Sequence, residues 1–336
     1  MAATVAVAGG IALARAGRER REAARRRLRE RQFALLPSER PAAGLRRIAL
    51  GQLDMAIELL AANGSGPLSE HAVHELRKSL KRLRALIRLL EGQLPGPVLA
   101  QEQELLRGAG RRVAGARDAE VLVGTLDALI ARHPGQLSHR GGVAKLRARL
   151  VAEREQAAAQ ALGDTRTRRQ ELGELWAVRG RVAEWSFSEG EGIESVQLGL
   201  AKIYRKGRRG QRRAARGKGD RARALHLWRK RVKDLRYAAE MLDRFDAGAG
   251  ARRGSGPLAS LARRADELGE LLGEEHDLVL LAGRIRSDKA LGGRARKVLL
   301  KLIARRRSRL QRQALRRGER LYRRRTRSFL ALLRRR

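Results

Sequence analysis

An all-α fold, arranged as two tandem antiparallel bundles of about four helices each, is predicted by three features of the chain. Apolar residues recur at helical spacing along the 336 residues, with no convincing period-2 run that would mark a strand. One basic helix motif is written twice, at an offset of 152 residues from His74 to His226. A weaker element containing Asp also recurs, at an offset of 159 from Asp118 to Asp277. Together these observations account for the whole pattern as a duplicated helical unit.

The elements follow in order. A helix opens near Pro41 and runs through Leu60, closed by the turn Asn63-Gly64-Ser65-Gly66-Pro67. Ser69 is placed to cap the first motif helix, which runs to Glu91 before Gly92 and the Pro95-Gly96-Pro97 turn. Further helices are expected over about 98–131, broken near Gly115, over about 137–162 and near 165–180. The stretch from Phe187 to Gly192 is the candidate boundary between the halves. A helix over about 193–215, the Gly217–Asp220 turn and the second motif helix to about Phe245 open the second half. After a Gly-rich loop at 248–256, helices are expected near 258–271, 274–287, 290–309 and 310–331. The domain organisation is thus an N-terminal extension at 1–37, a first bundle at 38–186 and a second at 187–336.

The extension is apolar from Ala2 to Ala14 and Arg-rich after it. The apolar run is interrupted by Gly9-Gly10 and too short to span a bilayer. Its charges follow rather than precede it, which does not suit a cleaved signal peptide. A frayed or helical extension is expected there, with a weak membrane anchor as the alternative.

Composition bounds the partner. The 76 Lys+Arg against 36 Asp+Glu give a net charge of +40 and a pI near 11.8. Self-repulsion on that scale calls for a densely anionic partner: nucleic acid, inorganic polyphosphate or an anionic membrane. The 43% hydrophobic content supports a folded core, but aromatics make up only 3%. Single-stranded nucleic acid is gripped largely by stacking on aromatic platforms, of which this chain has few; a ligand made only of phosphates needs none. The absence of Cys excludes disulfides, Cys-bearing zinc sites and thiol catalysis.

The motif itself reads His74, Arg77, Lys78, Lys81, Arg84 in the first copy and His226, Arg229, Lys230, Lys233, Arg236 in the second. Steps of 3, 1, 3 and 3 place the five side chains within roughly a third of a helix circumference, over about 15 Å. Leu76, Leu80, Leu83, Ile87 and Leu90 fill the opposite face, as Val232, Leu235, Ala239 and Leu242 do in the second copy. A charge run is usually a solvated face, but two features weigh against that here. The stripe occurs twice, and four of the 11 Lys in an Arg-dominated chain sit inside it. Compact ammonium groups at matched positions suit point-charge contact with phosphate. Two such stripes suggest a two-sided clamp for a polyanion.

The Asp elements, Gly115-Ala-Arg117-Asp118 and Gly273-Glu-Glu-His276-Asp277, each place a basic or His residue before an Asp that opens an apolar helix. Asp at such a position caps N–H groups or orients a neighbouring cation. A metal half-site is disfavoured, since adjacent helical residues project about 100° apart and no second His is near. His133 and His139 read as surface, and Trp176, Trp185 and Trp228 as core or inter-bundle packing. Some of Arg305–Arg307 and Arg323–Arg325 are expected to help neutralise a ligand. No nucleophile–base pair, P-loop or HExxH motif is present, so no catalysis, metal or cofactor is expected.

With both motif copies and both Asp elements in order, and with Tyr204-Arg205-Lys206-Gly207-Arg208-Arg209 before the second motif, the chain resembles the conserved-histidine α-helical domain (CHAD) family over roughly residues 38–335. The resemblance implies two pseudo-symmetric four-helix bundles facing each other across a basic central channel that binds inorganic polyphosphate, and association with polyphosphate granules. Position by position it implies His74, Arg77, Lys78, Lys81 and Arg84 on one wall, and His226, Arg229, Lys230, Lys233 and Arg236 on the other. Arg205, Arg208 and Arg209 add to that wall, and Arg117 stands where the second half has His276. The triphosphate-tunnel domain that often accompanies the family is not evident, since no acidic EXEXK-like strand is present. The expected protein is therefore a non-enzymatic, cytoplasmic polyphosphate binder at granules. A nucleic-acid-binding protein is the alternative, and an enzyme of polyphosphate or nucleotide metabolism comes third.

Overall fold

Twelve helices and no strand make up the described part of the computed structural model, namely residues 32–36, 39–62, 68–160, 165–187, 194–217, 219–246 and 256–331. In chain order they are α1 (Pro41–Ala61), α2 (Glu70–Leu89), α3 (Gly96–Arg112), α4 (Ala114–Arg132), the short α5 (Pro134–Leu137), α6 (Gly141–Gln160) and α7 (Thr165–Ala183). The second half contributes α8 (Glu194–Arg216), α9 (Arg221–Asp246), α10 (Pro257–Ser287), α11 (Gly293–Leu321) and α12 (Thr326–Ala331). The extension at 1–31, the expected turn at 63–67, the boundary at 188–193 and the loop at 247–255 lie outside the described residues.

Local chemistry sets the ends. Pro opens α1 and α10 at the first turn, where its missing N–H costs nothing. Ser69 accepts a bond from the Ala72 N–H at 3.2 Å and caps α2 as its sequence position predicts. The break between α3 and α4 falls at Val113. Two expected breaks are absent. Helix α10 passes straight through 272–274, so His276 and Asp277 sit mid-helix rather than at a helix start. Helix α11 likewise continues through 309–310 to Leu321. In α10 the interior glycines cost about 1 kcal/mol each relative to Ala, which packing against both α9 and α11 overrides.

The two motif helices pack directly on each other. Arg88 of α2 bonds Asp234 of α9 at 3.1 Å, while Arg82 lies in the field of Glu240. Rising numbers on one helix meet falling numbers on the other, so the pair is antiparallel. The midpoint of these contacts falls at Ala85 and Tyr237, which are separated by the offset of the repeat.

One apolar core runs through both motif helices, holding Leu76, Leu80 and Leu83 of α2 with Trp228, Val232 and Leu235 of α9. A second joins Leu126 and Leu146 of the first half to Leu281, Ile285, Leu299 and Ile303 of the second. Gly199 lets α8 cross α2 in backbone contact, since a Cβ there would lie 2.0 Å from the Leu89 carbonyl oxygen. Trp185 and Trp228 are buried as expected, but Trp176 is exposed, with the Arg179 guanidinium 5.6 Å from its ring.

Some of the carboxylates are buried with the core and fix its arginines. Glu102, Glu171, Glu275 and Asp288 are each almost wholly buried and held by Arg181, Arg112, Arg307 and Arg149. Removing one partner of such a pair leaves an uncompensated buried charge, typically costing about 3–5 kcal/mol.

Candidate functional site

The antiparallel crossing of α2 and α9 brings cations from both copies into one seam. Asp234 anchors it, accepting from Arg88 at 3.1 Å and from Arg231 at 3.0 Å. Around that anchor, Arg84 of α2, Arg107 of α3 and Lys230 and Arg231 of α9 lie in each other's fields. Burial, then the charges of Arg84, Arg231, Arg107 and Arg229, hold the Lys230 ammonium below its ordinary value. Arg84 is lowered for the same reasons, burial first and then Arg88, and its Nε is buried without a partner.

Further along α9 the seam meets α10. Burial, followed by the Arg229 charge, pushes Lys233 down to about 8, against the opposing pull of Glu270 and Asp277. His226 and His276 face each other with ring centroids 4.1 Å apart and planes tilted by 34°. Burial, then His226, Arg229, Lys230 and Lys233, pushes His276 down to about 4. His226 is lowered as well, by burial and then Lys230 and Arg229, and its Nδ1 is buried with no partner. Both rings are therefore neutral at pH 7 and offer N–H donors rather than charge.

The remaining motif residues have other neighbours. Arg77 donates to the Val113 carbonyl at 3.0 Å at the α3–α4 junction, with the exposed Asp118 carboxylate 3.9 Å away. Lys78 pairs with Glu75 at 2.5 Å. Lys81 is half-buried and His74 exposed. The antiparallel register sets His74 and His226 on opposite sides of the midpoint, about 33 Å apart along the pair. Arg236 is held by Glu240 at 2.6 Å and by Asp266. Arg205 and Arg209 are exposed on α8, and Arg208 is half-buried beside Tyr204. Arg117 stands in the first turn of α4, and its side chain lies outside the described residues. Of the later arginines, Arg306 and Arg307 are tied to Glu274 and Glu275.

Arg107 and Arg231 are additions that the motif does not contain. Arg231 was accessible from sequence as the residue after Lys230, though the repeat places Ser79 opposite it in the first copy. Arg107 carries no repeat signal, and only the α2–α3 packing reveals it.

Helical throughout its described residues, with a duplicated cationic helix at its centre, the chain has the architecture of one known class of all-α domain. The family model of the CHAD domain matches residues 51–286, and the chain belongs to that family. The crystal structure of the CHAD domain from the plant Ricinus communis superposes with a TM-score of 0.55 at 23% identity, covering 84% of this chain and 93% of that one. At that identity the likeness concerns the fold. No curated protein matches the chain. No helix among the described residues is long and apolar enough to cross a membrane.

Proposed function

We propose that the seam between α2 and α9 binds inorganic polyphosphate and that the protein acts by binding, without catalysis. The observation that carries this reading is the gathering of Lys230, Lys233, His226, His276 and Arg84 in one half-buried seam, where burial first and then neighbouring Arg and Lys charges lower each of them. Cations crowded and partly buried beyond what Asp234, Glu270 and Asp277 offset are a charge surplus, and a linear polyanion supplies the missing counter-charge. Neutral His N–H groups add directional bonds to phosphate oxygen, and the ligand needs no aromatic stacking. Granule association in the cytoplasm follows as the setting where such a ligand is concentrated.

The test is retention on immobilised polyphosphate. Neutralising about six phosphates should give a log K against log[salt] slope of several units, by analogy with duplex nucleic acid. The Lys81→Glu, Lys233→Glu double variant should lose retention while keeping its far-ultraviolet helicity; a folded double variant that still binds refutes the seam. Incubation with labelled polyphosphate and Mg²⁺ should leave chain length unchanged, and chain shortening would instead mark an enzyme. A fluorescently tagged copy should concentrate at granules and become diffuse in cells lacking polyphosphate.

A further inference from the structure

The outer face of α11 carries a second concentration of positive charge that the motif does not include. Lys301, Arg305, Arg309, Arg312, Arg316 and Arg320 are all exposed and follow one another at steps of 4, 4, 3, 4 and 4. They fall within a sector of about 100° and form a row about 28 Å long. The apolar residues of the helix, among them Leu299, Ile303, Leu310 and Ala314, lie on the opposite side and are buried. Cations flanking the row are neutralised, Arg306 and Arg307 by Glu274 and Glu275, and Arg317 by Glu267. The six in the row make no ion pair among the described residues, and Glu319 is the single carboxylate of the helix. The row also lies beyond residues 51–286, where the family model matches.

We propose that this ridge is a sequence-independent binding surface for duplex DNA, separate from the polyphosphate seam. Its cations run along one face of a single helix, which suits a rigid ligand that brings its own extended array of phosphates. A duplex carries one negative charge per roughly 1.7 Å of axis, so the ridge spans about eight base pairs. An α-helix about 10–12 Å across fits a major groove about 12 Å wide, with long Arg side chains reaching phosphates on both rims. Other anions fit less well. Tyr322 and Phe329, beyond the end of the ridge, are buried, so there is no stacking platform for a single strand. The apolar side of α11 is buried in protein, so the helix has no face to insert into a lipid surface. A flexible phosphate thread along a single helix face meets cations from one side only.

The proposal is tested with the full chain and a ~20-base-pair DNA duplex, by fluorescence anisotropy across a salt series. The Arg309→Ala, Arg312→Ala, Arg316→Ala, Arg320→Ala variant changes only exposed side chains to a good helix former, so helicity and Tm should hold. Its duplex affinity near 0.1 M salt should drop by about a hundredfold or more, and its salt slope by about 3–4 units. Its retention on polyphosphate should be unchanged, whereas Lys230→Glu, Lys233→Glu should lose polyphosphate and keep the duplex. Duplex DNA should bind at least about tenfold tighter than duplex RNA, whose major groove is too narrow for a helix. Unaltered duplex binding by the folded four-alanine variant overturns the proposal. So does loss of binding to anionic phospholipid vesicles with the duplex retained, which would assign the ridge to membranes. Loss of the duplex in the seam variant would assign DNA to the seam instead.

Discussion

The two motif helices carry the same five basic residues yet occupy different electrostatic surroundings. In α2, Lys78 is neutralised by Glu75 and Arg77 is engaged by Val113 and Asp118. In α9, Lys230 and Lys233 have mainly other cations around them, and His226 lies against the tilted ring of His276. The cause lies at positions the motif leaves open. Glu75 corresponds by the repeat offset to Leu227, which is exposed, and Arg82 corresponds to Asp234. A duplicated stripe of cations therefore does not duplicate a field. The carboxylates between them decide which cations are satisfied: Lys78 in the first copy and Arg236 in the second have acidic partners, whereas Arg84, Lys230 and Lys233 lie mainly among other cations.

That asymmetry can be broken most strongly by reversing charge in one copy at a time. Lys230→Glu with Lys233→Glu should weaken polyphosphate binding by about a thousandfold, from two lost charge-assisted contacts at about 1.5–3 kcal/mol each. Lys78→Glu with Lys81→Glu should cost less, about tenfold, because Lys78 already has a partner. Equal losses, measured by titration at fixed salt, would remove the distinction between the copies.

Packing sharpens the same comparison. Trp228 stands where the first copy has Leu76, and its indole fits because α8 and α11 present glycines. A Cβ at Gly318 would lie 2.5 Å from the ring, and one at Gly210 would lie 2.9 Å from it. Gly318→Ala should therefore destabilise the protein by about 1–3 kcal/mol. Adding Trp228→Leu, which restores the residue type of the first copy, should relieve that strain beyond its own cavity cost. A strictly additive double variant in urea denaturation would contradict this account of the indole.

The depressed groups of the second copy also set a pH dependence. In the free protein burial and neighbouring cations push Lys233 down to about 8 and His276 down to about 4. A bound polyanion raises both, so the complex takes up protons and binding strengthens as pH falls. From pH 9 to 7 the Lys233 contribution amounts to about tenfold, with a further rise below pH 6 as the histidines charge. Substituting Gln for His226 and His276 should flatten the acid limb and leave the alkaline one. An affinity independent of pH between 9 and 7 would rule out this role for Lys233.

Smallest are the exchanges at the position that distinguishes the copies. Leu227→Glu should give Lys230 a counter-charge and weaken binding by about fivefold, while Glu75→Leu should strengthen it by a similar factor. Changes of the same sign in both variants, read by calorimetry, would show that Glu75 is not what separates the two helices.

Much of this was legible in the sequence because it depends on period and repetition. The motif helices, their apolar backs and the Ser69 cap follow from spacing and side-chain chemistry alone. Helix length was less accessible. Gly273 reads as punctuation, but α10 is held along its length by α9 and α11, and no local signal shows that support. Trp176 reads as core by residue type, yet its position on α7 faces outward. Within the seam, four cations and a His per copy were visible, but which of the cations are neutralised depends on Glu75, Glu240 and Asp266, contributed by unrepeated positions and a neighbouring helix.

The most direct measurement is a crystal structure of the protein with a polyphosphate chain bound. Phosphate oxygens should lie within about 3 Å of the Lys230 and Lys233 ammonium groups and of the Arg84 guanidinium. A chain seated elsewhere, with those three side chains left as they stand in the free protein, would contradict the account.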